Sequence, residues 1–176
     1  MSKKSRTEKI LAVMYVLAWI AFIGLIVEAG AILVSYGVSV ANPVAAKDLY
    51  MKMNLYGLRQ SNFWYYTVKV IMMIALLVLK AYTAWLVVKV LSGIKLKDPF
   101  TMETAKMLER ISYFILATWI LDLLHNAYTK WLSEGIAGFR DSLVLNEFIF
   151  LAGVVFVIAQ IFKKGVEIQS ENDLTI

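Results

Sequence analysis

Ionisable and amide side chains interrupt the longest apolar stretches of this sequence. They are Glu28, Lys69, Asp122, His125, Asn146 and Glu147. An ionisable group inside a bilayer is costly, so it usually faces other helices and marks either a functional site or a contact between helices. Such groups, held close together, would shift one another's pKa and could bind an ion, a proton or a small ligand. The alternative is a set of ion pairs and hydrogen bonds that only holds the helices together.

Helical spacing predicts that these side chains share faces. The third apolar stretch carries a polar stripe, which consists of Thr118, Asp122, His125 and Thr129. The first carries Glu28 on a face of small residues, which are Ala21, Gly24 and Ala31. At about 1.5 Å per residue, the ionisable members fall in the outer half of a bilayer and predict an outward-facing polar cluster. Lys80 lies nearer the other edge, where we expect its long side chain to reach the interface without a partner.

The composition of the chain excludes most soluble proteins. Of its 176 residues, 60% are hydrophobic and 18% are charged, and the mean hydropathy is +0.69. Soluble domains are about 45–50% apolar and about 25% charged, and a globule of this length cannot bury so much apolar surface. The absence of cysteine excludes thiolate chemistry, and the single histidine excludes a multi-histidine metal site.

Four stretches are long enough to cross a bilayer, which requires about 20 apolar residues in a helix. They cover about residues 10–35, 63–90, 111–128 and 142–162. The first is longer than the apolar core of a signal peptide, about 7–15 residues, so we expect it to be retained. The sequence predicts an all-α integral membrane protein, a single domain folded as an antiparallel four-helix transmembrane bundle. A cytoplasmic tail follows at residues 163–176.

The distribution of positive charge predicts the orientation. Eleven of the 18 Lys and Arg residues lie in the N-terminal tail, in the second connection with its flanks, or at the end of the fourth stretch. Five lie on the opposite side, and the remaining two are Lys69 and Lys80. Because cytoplasmic segments carry the excess of Lys and Arg, both termini are predicted to be cytoplasmic, in a multi-pass protein of the plasma membrane.

The connections between the stretches carry further signals. Residues 48–60 alternate apolar and polar, which predicts either a short strand or hairpin on the outer surface or an irregular loop on the headgroups. In the inner connection, Pro99 ends the second helix and Thr101 is placed to cap the next one. This inner segment either starts a helix cleanly or, through Asp98, Pro99 and Phe100, docks a partner.

Two cytoplasmic motifs resemble those of a known family. One is Asp98-Pro99-Phe100-Thr101 followed by Leu108 and Ile111, and the other is the ending from Lys164-Gly165 through Glu167 to Leu174-Thr175-Ile176. Both are similar to a bacterial four-helix membrane family known as domain of unknown function 2975. The resemblance implies the fold and a bacterial inner membrane, and it brings no catalytic residues. It also implies a partner, because members often lie in the genome beside a small helix-turn-helix regulator of the phage repressor type.

These features lead to two functional hypotheses. The first is a regulatory or signalling protein whose tail docks the helix-turn-helix regulator. Acidic and apolar tail residues suit a basic partner, and they include Glu167, Glu171, Asp173 and Leu174. The alternative for this tail is a helix end that frays in solvent. The second hypothesis is a small transporter, channel or immunity-type protein that uses the polar cluster. Four short spans would need a homo-oligomer to form a pore.

No signature of an enzyme is present in the sequence. Zinc-ligand spacing, a phosphate-binding loop, a dinucleotide fingerprint and a nucleophile elbow are all absent. We therefore expect no catalytic activity, no cofactor and no metal. The net charge of +5 is explained by the basic edges of a membrane protein, so the expected partners are the lipid bilayer and the regulator rather than nucleic acid.

Overall fold

The computed structural model describes residues 6–93, 101–136 and 148–173. Its long helices are α1 (Arg6–Ala41), α3 (Phe63–Gly93), α4 (Met102–Gly135) and α5 (Phe148–Asp173). Between α1 and α3 the chain forms a 3-10 helix, Pro43–Lys47, and the short helix α2, Tyr56–Ser61. The prediction of an all-helical protein is confirmed, since the residues described contain no strand.

Local sequence explains where helices begin. Thr101 has an extended backbone, and its side-chain oxygen accepts a hydrogen bond of 3.2 Å from the Thr104 N–H, so it caps α4 as predicted. Asn42 caps the start of the 3-10 helix in the same way, because its side chain accepts a hydrogen bond of 3.1 Å from the Val44 N–H and Pro43 takes the first helical position. These caps satisfy backbone donors that the first turn of a helix leaves open.

Among the residues that the structure describes, two helices, α1 and α3, are long and apolar enough to cross a membrane. Much of the surface of α1 is apolar and exposed, and Val13, Leu17 and Ile20 are each more than half exposed. An exposed apolar surface of this size is typical of a helix that contacts lipid or another protein.

The helices pack in chain order. α1 contacts α3, α3 contacts α4, and α4 contacts α5. Within the residues described, no Cα atom of α1 comes within 8 Å of a Cα atom of α4 or α5. The assembly is therefore open between its first and last helices.

The buried face of α1 differs from the predicted one. Gly24 is exposed and has no atom within 4 Å of the position that a Cβ would occupy, so the predicted face of small residues does not pack closely. The buried residues are Ala29, Ile32 and Ser39. This face is rotated by one residue, about 100° around the helix, because the large side chains of α3 and the following connection fix its position.

The connection between α1 and α3 folds into a cap, residues 42–62. The strand predicted there is wrong, and the alternative of an irregular segment is closer, although α2 forms part of it. Leu49 and Leu55 are buried as the alternation suggested, but Met51 is 83% exposed. The reason is a tight turn at Met51 and Lys52, which have φ angles of 47° and 68° and reverse the chain.

α5 continues beyond the predicted membrane boundary. The sequence predicted a tail from residue 163, and in the structure the helix runs through this segment as far as Asp173. A helix at this position satisfies most of the backbone hydrogen-bonding groups of the segment internally. Other predicted residues lie outside those described, namely Asp98, Pro99, Phe100, Asn146, Glu147 and Leu174.

Candidate functional site

A polar cavity of about 300 Å³ lies among α1, α3, α4 and the cap. Its polar lining residues are Glu28, Lys80, Asp122, His125 and Asn126. The remaining lining side chains are apolar, namely Ile32, Met53, Met73, Leu76 and Leu77. The structure thus brings three of the predicted cluster residues, from two different helices, to one cavity.

Helical spacing on α4 supplies one wall of this cavity. Asp122, His125 and Asn126 follow one another at intervals of three and four residues and therefore share a face. Asp122 is 7% exposed, and the Asn126 amide donates a hydrogen bond of 3.4 Å to its carboxylate. Across the cavity, the half-buried Glu28 comes from the last turns of α1 that pack against the bundle.

Lys69 lies behind this wall and is not among the cavity-lining residues. Its side chain is fully buried, and its ammonium donates a hydrogen bond of 2.6 Å to the Thr129 hydroxyl. That hydroxyl donates in turn to the His125 carbonyl at 2.7 Å. Lys69 therefore joins α3 to α4 beside the cavity, and it orients the turn of α4 that carries His125.

Lys80 was assigned no partner by sequence reasoning, and the structure places it in the cavity lining. The sequence did contain a signal for this position of Lys80. Lys80 follows Lys69 by eleven residues, about three helical turns, so both side chains lie on one face of α3. Asn126 and Met53 were also missed. Asn126 follows Asp122 by one turn, whereas nothing in the sequence shows that the cap carries Met53 to the same place.

A second, apolar cavity of about 560 Å³ adjoins the first. It is lined by residues of all four long helices, namely Ala21, Lys80, Thr83, Ala84, Val87, Ile111, Ile115, Thr118, Leu151 and Val155. Lys80 lines both cavities. Thr118 lines the apolar cavity and Asp122 lines the polar cavity. Because these two residues are about one turn apart on α4, the two cavities follow one another along the helices.

The ends of α4 and α5 meet at an ion pair. The Lys163 ammonium lies 2.8 Å from the Glu109 carboxylate. The hydrogen bond from Lys163 holds the pKa of Glu109 below its usual value, although partial desolvation opposes this. Further along α5, the Glu167 carboxylate lies 2.8 Å from Lys164 and raises the pKa of Lys164 through their hydrogen bond. Of the predicted docking residues, Glu167 and Glu171 are exposed on α5.

A family model described as protein of unknown function (DUF2975) matches residues 11–176. The chain belongs to this family. The family resemblance predicted from the cytoplasmic motifs is confirmed, and the match extends over all the long helices. No curated protein matches the chain, and no solved structure does.

The lining of the polar cavity in this family member offers carboxylates, an amine, an imidazole and an amide. Side chains of these types can hold a proton or a small charged group. Among the residues that the structure describes, no group of three or more His, Cys, Asp or Glu side chains could hold a metal ion.

Proposed function

We propose that this protein crosses the bacterial inner membrane four times, with both termini in the cytoplasm, and works in regulation. In this proposal the end of α5 docks a basic cytoplasmic partner, such as a small helix-turn-helix regulator. The excess of Lys and Arg on the side of the termini supports the topology. The two apolar helices α1 and α3 support the location in a membrane. The role needs neither a catalytic residue nor a cofactor.

The observation that carries this proposal is the continuation of α5. The helix extends ten residues beyond Lys163, about 15 Å at 1.5 Å per residue, to Asp173. Its exposed residues include two acids, Glu167 and Glu171, and an apolar side chain, Ile168. An ordered helix loses less conformational entropy on binding than a frayed tail, and its acids attract a basic surface.

Binding of the regulator tests the docking function. The full-length protein in detergent should retain the purified regulator that its own genome encodes beside it. Removal of residues 165–176 should abolish retention, and the double change Glu167→Gln and Glu171→Gln should weaken it by about tenfold. Glu103→Gln, an exposed acid at the start of α4, is the matched control and should bind normally. Equal retention by all four proteins would contradict the proposal.

Reporter fusions test the topology. Fusions after Lys97 and after Ile176 should report cytoplasmic positions. Fusions within residues 48–60 and at Gly135 should report periplasmic positions, because the Lys and Arg excess lies on the other side. A periplasmic signal after Lys97 would contradict the four-span arrangement.

The polar cavity favours a second candidate function, a small transporter or channel. Glu28, Lys80 and Asp122 come from three different helices, and ionisable groups of this kind often mark ion or proton pathways. A flux assay in liposomes distinguishes this function from regulation. Transport that is lost in Asp122→Asn, while the regulator still binds, would establish it, and a pore would then require a homo-oligomer.

A further inference from the structure

We infer that α3 and α4 together bind anionic phospholipid head groups of the cytoplasmic leaflet. The binding surface, which we call the basic patch, consists of three exposed cations, Lys89, Lys106 and Arg110. This inference rests on the proposed location in the membrane, but not on docking at α5, because the two surfaces involve different residues.

Two aromatic clusters mark the faces of the bilayer. The outer cluster consists of Tyr65, Tyr128 and Trp131, and the ring centroids of Tyr65 and Trp131 are 5.2 Å apart. The inner cluster consists of Tyr82, Trp85 and Phe114, and the ring centroids of Tyr82 and Phe114 are 4.5 Å apart.

The spacing of the clusters matches a bilayer. Along α3 the step from Tyr65 to Tyr82 covers about 26 Å, and along α4 the step from Phe114 to Trp131 covers the same distance. The hydrocarbon core of a bilayer is about 30 Å thick, and Tyr and Trp are enriched at its two interfaces with water. Each cluster therefore lies close to one of these interfaces.

The surface between the clusters is apolar. Every exposed residue of α3 and α4 in this band is aliphatic, as Ile71, Val78 and Leu124 illustrate. Contact with lipid tails requires such a surface, because an exposed charge there would be costly. The inner cluster is therefore the level at which the hydrocarbon ends and the head groups begin.

The cations become exposed directly beyond the inner cluster. Lys89 follows Tyr82 by seven residues and Arg110 precedes Phe114 by four, so both lie on the side of the helix pair on which Tyr82 and Phe114 meet. They lie about 10 Å and about 6 Å beyond the cluster along the helix axes, which is within the head-group layer. Lys106 lies one further turn along α4 from Arg110.

Local contacts leave these positive charges available. The Lys89 ammonium lies 3.9 Å from the centroid of the Trp85 ring, and this cation–π contact holds the ammonium at the interface without neutralising it. Among the residues that the structure describes, no carboxylate lies within 4.0 Å of the charged groups of Lys89, Lys106 or Arg110.

Acidic side chains offset only part of this charge. Glu109 adjoins Arg110 in the sequence, but its carboxylate pairs with Lys163 at 2.8 Å. Glu103 is exposed and lines the same groove as Lys89. The basic patch therefore keeps an excess of positive charge, and each cation near an anionic lipid surface strengthens binding by about fivefold.

Lipid selectivity of the full-length protein in nanodiscs tests the inference. The probes are spin-labelled phosphatidylglycerol and spin-labelled phosphatidylcholine, which have the same chains and differ in head-group charge. Electron paramagnetic resonance measures the fraction of each probe that the protein immobilises. We expect phosphatidylglycerol to associate at least about fivefold more strongly, and we expect high salt to reduce this preference.

Variants locate the binding surface. The double change Lys89→Gln and Arg110→Gln should bring the association of the two probes close to equality, because it removes two of the three cations. The double change Lys52→Gln and Lys130→Gln is the matched control, since it removes two exposed cations at the opposite end, and it should retain most of the preference. All four side chains are exposed, and circular dichroism establishes that both variants are folded.

Three results would overturn the inference. They are equal association of the two probes with the unchanged protein, equal loss of preference in the two double variants, and displacement of phosphatidylglycerol by an excess of inorganic phosphate. The last would assign the surface to a soluble anion. A protein that does not insert into nanodiscs would contradict the membrane location itself, whereas an inserted protein without lipid preference would contradict this inference alone.

Discussion

The two ends of the helix assembly are built differently. At the capped end, residues 42–62 close over the helices, and Leu58, Tyr66 and Ile32 are at most 1% exposed. At the opposite end, which we call the open end, none of the described side chains of α1 up to residue 28 is buried. There the core consists mainly of α3 and α4 residues such as Leu86 and Ile111.

Hydrogen bonds reinforce this difference. At the capped end Ser39 and Tyr66 share a hydrogen bond of 2.6 Å, and Lys69 bonds Thr129 at 2.6 Å. The open end relies on the Glu109–Lys163 ion pair, which is partly exposed to solvent. Functional rearrangements usually involve the less stable parts of a protein. The comparison therefore places the more rigid packing at the cap and the less stable packing at the open end.

The largest expected effect is a loss of stability at the cap. Leu58→Ala should lower the free energy of unfolding by about 2–5 kcal/mol, because Leu58 is fully buried and its removal leaves a cavity. Leu17→Ala, at the open end of α1 and 57% exposed, should change it by less than about 0.5 kcal/mol. Denaturant titration in detergent measures both. Similar losses for the two variants would remove the distinction between the ends.

A smaller effect is expected for the buried amine that joins α3 to α4. Lys69→Met should cost about 1–3 kcal/mol, because it leaves the Thr129 hydroxyl buried without its donor. Adding Thr129→Val should recover part of this loss, since both partners are then apolar. The double-mutant cycle, measured by unfolding, gives the coupling energy. Strictly additive losses would show that the 2.6 Å contact does not stabilise the interface.

The ion pair at the open end predicts a pH dependence. Since the pKa of Glu109 is lowered in the folded protein, its contribution is fully present above the ordinary glutamate pKa of about 4.3 and is lost as the pH falls through the lowered pKa. Spin labels on the ends of α4 and α5 should report separation of the helices in acid. Glu109→Gln should remove the pH dependence that comes from this group. An unchanged acid transition in that variant would assign it to other carboxylates.

The smallest effect is expected at Gly24. Gly24→Ala should be neutral or stabilise α1 by up to about 1 kcal/mol, because no atom lies within 4 Å of the new methyl position and alanine favours a helix. Ala29→Leu, on the buried face of the same helix, should cost about 1–3 kcal/mol through overpacking. A lower melting temperature for Gly24→Ala than for Ala29→Leu would support the buried face of small residues that the sequence predicted.

The sequence alone determined the helical class, the helix start at Thr101 and membership of the family. It also indicated that Glu28, Asp122 and His125 belong together, and the structure places all three in one cavity lining. These features depend on local rules. A cap needs one side chain and its neighbours, and a charge in an apolar helix must face the interior.

Only the tertiary structure decided the rotation of α1, the position of Lys80, the folded cap and the continuation of α5 through Gly165. The turn at Met51 and Lys52 shows the reason. Neither residue favours a positive φ, so local preference argues against this backbone. The turn forms because burial of Leu49 and Leu55 against distant helices outweighs its local cost, and such contacts between distant residues are not encoded in any short stretch of the sequence.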